Sequence, residues 1–208
     1  VKTVKEGIET GWIDVHENQG KRSGAYSSGV YDTQPYILLN WSDQLSDTFT
    51  LAHELGHSVH SYLSTRHQPY VYGDYPIFTA EVASTCNELL LLDHLLKTTE
   101  DRGRRLFLLD HHLNQITGTV VRQTMFAEFE RSMHELIENG KPITSESLNE
   151  IYLTLLRRYH GHDSGVCKID EKYQTEWAFI PHFHRNYSVY TYATSFIAAA
   201  AFQEQILT

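Results

Sequence analysis

Cysteine is scarce in this sequence: its 208 residues contain 2, Cys86 and Cys167. That count excludes the dense disulfide framework of a small secreted domain and makes a reducing, cytoplasmic setting the default expectation. Basic charge is short as well, with 17 Lys and Arg against 26 Asp and Glu and a formal net charge of −9. Neutralising phosphates needs clustered Lys and Arg; no such cluster occurs, so no nucleic-acid partner is expected. Long apolar runs are missing too. The longest, near Phe196 to Phe202, ends in Gln203 and Glu204 and is too short to span a bilayer. No signal peptide is legible, since Val1-Lys2-Thr3 opens directly into a charged, mixed segment. Nor is there an internal repeat or a low-complexity stretch. What remains is 41% hydrophobic and 21% charged, the make-up of an ordinary globular protein. The length suits one sizeable core, and a single domain over residues 1–208 is expected. A start at Val1 rather than Met, and a stop at Thr208 just after an apolar helical run, read as a fragment of something longer.

Turn and strand signals crowd the first forty residues. Gly11 to Val15, Gly24 to Ser27 and Pro35 to Trp41 are short β-prone runs separated by Gly, Asn and Ser, and predict a small sheet. The Pro35–Trp41 strand leads directly to the next element and is expected to offer an edge to which an extended peptide could add. Beyond Ser46 the pattern turns helical, with Phe49, Ala52, Gly56, Val59 and Leu63 forming an apolar stripe. Ser46 is the expected N-cap, and Asp47 suits the positive end of the helix dipole. A Tyr- and Gly-containing loop over Gln68–Pro76 precedes a second helix from about Phe78 to Lys97. Thr98 with Asp101 resembles a capping box for a third helical stretch that continues to Asn139, where Gly103 and Gly118 could bend it. Further helices are expected over Ser145–His160 and Ser188–Ile206. The sum is a mainly α chain with a small β-sheet near its N-terminus.

The first helix carries His53-Glu54-Leu55-Gly56-His57. Residues four apart share a helix face, so His53 and His57 can offer two imidazole nitrogens to one metal ion. Glu54 then sits where it can take a proton from water held at that metal. The bland alternative, two surface histidines on a helix, is disfavoured because the motif lies mid-helix beside an apolar stripe. His60 shares the face but is seven residues from His53, about 10 Å along the axis, too far for one ion to reach both. The third ligand must come from elsewhere. Glu81, flanked by small and apolar residues in Thr79-Ala80-Glu81-Val82-Ala83-Ser84, is the best candidate, because a charge in that setting is seldom buried unless paired or metal-bound. Glu88, seven residues on, could orient a ligand histidine, or be an ordinary salt-bridged glutamate. Cys86 reads as a small core residue rather than a ligand.

The runs Phe49–His60 and Phe78–Thr85, with Gly24-Ala25-Tyr26, Pro181-His182-Phe183-His184 and Tyr190-Thr191-Tyr192-Ala193-Thr194, resemble oligoendopeptidase F, of the thimet oligopeptidase-like zinc metallopeptidases. The likeness covers nearly the whole chain. It implies a zincin-like, mainly helical catalytic domain binding one Zn2+ through His53, His57 and Glu81, with Glu54 as general base. It also implies a deep channel that admits short, unfolded peptides, one wall of which would be an N-terminal helical half that this sequence lacks.

A tetrahedral intermediate needs an oxyanion donor besides the metal. His182, His184, Tyr187, Tyr190 and Tyr192 crowd into one short segment. In the family the resemblance points to, a histidine and tyrosines of this segment bind substrate and stabilise the intermediate. Tyr192 matches the Tyr-x-Tyr pattern and His182 is taken for the histidine, with His184 the alternative; His184, Tyr187 and Tyr190 would then contact substrate. Tyr70, Tyr72, Gly73 and Tyr75 suggest either a mobile peptide-contacting loop or aromatic loop packing. The function expected is zinc-dependent hydrolysis of oligopeptides; the alternative is a non-catalytic peptide-binding fragment that keeps the metal site.

Overall fold

The computed structural model describes residues 2–208. Seven α-helices and three short strands run in the order α1 (Lys2–Glu9), β1 (Ile13–Asp14), β2 (Tyr26–Ser28), β3 (Tyr36–Leu38), α2 (Leu45–His67), α3 (Ile77–Thr98), α4 (Arg102–Ile116), α5 (Arg122–Glu138), α6 (Ser145–Tyr159) and α7 (Tyr190–Leu207). The mainly helical class with a small N-terminal sheet holds. Two compact units are present, Val1–Asp110 with Ser195–Thr208, and His111–Thr194.

In the first unit the sheet order is β1-β3-β2, with β1 parallel and β2 antiparallel to β3. The Pro35–Trp41 strand is therefore the centre of the sheet and offers no free edge, contrary to expectation. Its Ile37 and Leu39 are buried against Leu55 of α2, which is why this most apolar strand takes the middle. Of the two edge strands, β2 is joined to the metal-motif helix by a 2.8 Å hydrogen bond between the Ser27 and Ser58 hydroxyls. A second cluster packs Phe49 of α2 on Leu92 of α3 and Leu108 of α4.

Helix α2 is capped two residues before the expected position. Gln44, not Ser46, is the N-cap, because the Asp47 carboxylate reaches back to accept the N–H groups of Ser42 at 2.7 Å and Gln44 at 3.0 Å. Asp47 thus acts through hydrogen bonds to the chain entering the helix as well as through the dipole. At α4 the same correction applies: Asp101 Oδ1 accepts the Arg104 N–H at 2.8 Å, whereas Thr98 stays in the last turn of α3 with its hydroxyl on the His94 carbonyl. The long third stretch is broken at Thr117–Val121, a π-helical turn containing Gly118. Helix α1 was not foreseen, although Val4 and Ile8 stand four residues apart as on one helix face. It docks where Gly7 meets Trp12; a Cβ at Gly7 would fall 2.6 Å from that ring.

In the second unit Met125, Phe126 and Phe129 of α5 pack on Leu148, Tyr152, Leu155 and Leu156 of α6, with Val189 completing the core. Residues Glu171–Phe179 and Pro181–His184 form 3-10 turns. Among the described residues no helix is long and apolar enough to cross a membrane. Cys86 and Cys167 are both free thiols.

Candidate metal centre

Helices α2 and α3 pack backbone against backbone where the motif lies. A Cβ at Gly56 would sit 2.6 Å from Ser84 Cα and 2.8 Å from the Ala83 carbonyl oxygen, so only glycine permits this approach. Asn87 Nδ2 donates to the Ala52 carbonyl at 2.6 Å and sets the register of the two helices. Fully buried Ser84 donates to Glu81 Oε2 at 3.0 Å and steers that carboxylate toward α2.

The result is a convergence of three donors. His53 Nε2 and His57 Nε2 are 3.1 Å apart, and Glu81 Oε2 is 3.2 Å from the first and 3.5 Å from the second. Nitrogen and oxygen ligands at ordinary zinc distances lie roughly 3.3–3.6 Å from one another around a tetrahedral ion. The donor set therefore fits zinc with little adjustment, and three protein ligands leave a fourth position open. No other group of this kind occurs among the described residues.

Glu88 Oε1 lies 2.5 Å from the remaining ring nitrogen of His53, Nδ1. Burial lowers the His53 pKa, but the hydrogen bonds and charges of Glu81 and Glu88 outweigh it and lift the value to about 10. Burial likewise pushes Glu81 upward, but His53, His57 and Ser84 hold its carboxyl below the usual range. His57 goes the other way: burial keeps its imidazole neutral, the form that offers a lone pair. Glu54 is 7% exposed. Burial raises its pKa and the negative charges of Glu81 and Glu88 add to this, against opposing pulls from His53 and the Ser27 backbone. A carboxyl so tuned is better placed to accept a proton than an exposed one.

His60 lies outside this cluster. Its ring stacks on Tyr75 at 3.7 Å and 16°, and its buried Nδ1 has no partner. Cys86 is half-buried and does not enter the donor set.

The remaining predicted residues belong to the second unit. The His182 ring meets the Tyr192 ring edge-on at 5.8 Å. Between them the chain reverses at Tyr187, whose φ is +51°. This left-handed turn is held by Glu130, buried at 2% exposure, whose Oε1 accepts the Tyr187 N–H at 2.7 Å, and by the His134 ring stacked on Tyr187 at 4.5 Å. His184, Tyr187 and Tyr190 are exposed. Sequence reasoning missed Gly56, Ser84, Asn87 and Glu130. For the first two, the small residues Gly56, Ala80, Ala83 and Ser84 on facing helices were the available signal.

A mainly helical chain that presents two histidines one turn apart, a neighbouring carboxylate and a third donor from the next helix has the layout of a metallopeptidase. Comparison with known proteins makes the family plain: the family model described as peptidase family M3 matches residues 1–207, and the chain belongs to that family. It is 54% identical over 204 residues to Oligopeptidase PepF of Bacillus subtilis (strain 168), covering 98% of this chain and 30% of that protein. A crystal structure of a Chlamydophila abortus protein superposes with a TM-score of 0.83 at 47% identity, covering 99% of this chain and 34% of that one. The crystal structure of oligoendopeptidase-F from Enterococcus faecium gives 0.65 at 44% identity, over 78% of this chain and 29% of that one. The chain thus spans about a third of the length of these relatives.

Proposed function

We propose that the full-length protein is a zinc-dependent endopeptidase that cleaves short, unfolded oligopeptides inside a channel, and that this chain carries its catalytic machinery. The observation that carries the reading is the convergence of His53, His57 and Glu81 within 3.5 Å of one another, beside a buried glutamate on the same helix. One zinc ion held by these three would supply Lewis-acid polarisation of the attacking water and of the scissile carbonyl. Glu54 takes a proton from the attacking water and returns it to the leaving amine, a task suited to a carboxyl with a raised pKa. Glu88 fixes the His53 ring. Tyr192 donates its hydroxyl to the developing oxyanion with His182 beside it, while His184, Tyr187 and Tyr190 contact the peptide; the ring contact between His182 and Tyr192 supports their acting as a pair. An extended peptide adds to β2, the edge strand beside the motif helix, rather than to β3. A cytoplasmic location goes with this reading, as do the two free thiols.

Replacing Glu54 with Gln in the full-length protein should abolish turnover of a quenched fluorescent peptide while bound zinc stays. Retained turnover, or cleavage insensitive to a chelator, overturns the assignment. The second reading, a peptide-binding module without productive chemistry, predicts peptide binding with no cleavage by the wild-type protein.

A further inference from the structure

A cavity of about 550 Å³ opens on the motif helix beyond the metal ligands, lined by Tyr31, Ser61, Thr65, Tyr70 and Tyr75 with Val30 at its rim. None of these residues belongs to the donor set or carries the proton chemistry proposed above. Ser61 follows His57 by four residues and His53 by eight, so it lies on the same helix face, about 6 Å further along the axis. A second path leads to the same place. The backbone of Ser27 reaches the Glu54 carboxyl, and two to three residues later the chain leaving β2 lines the cavity with Gly29 and Val30. At roughly 3.3 Å per extended residue, that is a step on the order of 7–10 Å from the Glu54 carboxyl.

The far wall is the loop between α2 and α3, and it is anchored. The Tyr31 hydroxyl donates to the Gln68 carbonyl at 2.8 Å, Ser64 Oγ donates to the Gly73 carbonyl at 2.8 Å, and the Ser61 and Tyr75 hydroxyls are 2.7 Å apart. Gly73 fits so closely over Tyr31 that a Cβ would fall 2.7 Å from that ring. Yet the loop turns its apolar side chains outward: Tyr70 is 76% and Val71 81% exposed. A loop whose backbone is tied down by two hydrogen bonds and whose Tyr75 side chain is held by a third, while Tyr70 and Val71 line an open cavity, is organised for contact before any ligand arrives. The lining has one charged side chain, Asp74, and three tyrosine rings besides the buried Tyr62, a composition for an apolar or aromatic group rather than an ion.

We propose that this cavity is a specificity pocket for a large apolar or aromatic side chain of the peptide, two to three residues from the cleaved bond. This rests on the reading of the chain as an endopeptidase and adds to it which substrates are chosen. The test uses the full-length enzyme and a set of quenched peptides in which a single Phe or Gly is moved through the three positions on either side of the cleaved bond. At one position, two or three residues from that bond, Phe should exceed Gly about tenfold or more in kcat/KM, as one well-filled pocket allows. Tyr70→Ala, which opens the wall, and Thr65→Trp, which fills the cavity, should each cut that ratio to about threefold or less, chiefly through KM. On the Glu54→Gln protein the same Phe peptide should bind more tightly than the Gly peptide, which reports the pocket without turnover. If no position favours Phe, or the preference survives both cavity variants, the pocket is not a subsite. Lower thermal stability in Tyr70→Ala with unchanged selectivity would show that the loop is covered by another part of the full-length protein, and would also overturn the proposal. Absence of cleavage of every peptide by the wild-type enzyme, in contrast, defeats the endopeptidase reading and leaves the binding comparison standing.

Discussion

Glu88 holds the Nδ1 side of the His53 ring at 2.5 Å while the Nε2 side faces Glu81 and His57, so two carboxylates on one face of α3 grip a single imidazole on α2 from opposite edges. The grip fixes ring orientation and directs Nε2 at the metal position. A carboxylate behind a ligand histidine also makes the ring a better donor. Glu88→Ala should therefore weaken zinc binding about 10- to 100-fold, read by competition against a chromophoric chelator. Glu88→Gln, which can still accept from Nδ1–H, should lose less. Equal affinity in all three proteins would mean that the contact does not orient the ligand.

Gly56 is the position where the two helices come closest, with Ser84 Cα 2.6 Å from the site of a Cβ. Gly56→Ala favours the helix by propensity. It must nevertheless push α3 away, at a cost of typically about 1–3 kcal/mol for overpacking. Because Glu81 rides on α3, zinc affinity should fall together with the melting temperature. An alanine variant as stable as wild type with undiminished affinity would show that the helix pair has slack.

Glu130 gives a pH dependence whose sign follows from its burial. Its pKa is raised, first by desolvation, against opposing pulls from the Tyr187 N–H and His134. Below the unfolded value of 4.5 the carboxyl is protonated in both states and costs nothing. As pH rises through that value toward the folded one, the unfolded chain ionises more readily and the native state loses stability relative to it. Glu130→Gln keeps an acceptor for Tyr187 and removes this loss. The variant should accordingly be more stable than wild type at neutral pH, with the difference shrinking toward zero as the pH falls below about 4.5. Denaturant titrations at several pH values check it; a constant difference would place the ionised form in a better solvated environment than its 2% exposure implies.

What was legible in the sequence was local. The His53–His57 spacing is a property of one helix, and Glu81 stood out because its immediate neighbours are small and apolar. Helices α3, α6 and α7 read out to within a few residues for the same reason. Strand order was not legible: Pro35–Trp41 and Gly24–Ser27 look equally β-prone in isolation, and which takes the centre depends on Leu55 of α2 packing on Ile37 and Leu39. Cap identity failed at Gln44 because the decisive group, Asp47, works backward along the chain through its carboxylate rather than through a favoured N-cap residue. The 3-10 turns around His182 carry no apolar period, so nothing local marked them. Glu130 was invisible because its partner is a backbone N–H 57 residues away.

The central claim is that His53, His57 and Glu81 together hold one zinc ion. Elemental analysis of the full-length protein after exhaustive dialysis, wild type beside Glu81→Ala, addresses it most directly. The account predicts about one zinc per chain in wild type and, from loss of one of three protein ligands, below about a tenth of that in the variant. A full complement of zinc in Glu81→Ala, or none in wild type, would contradict it.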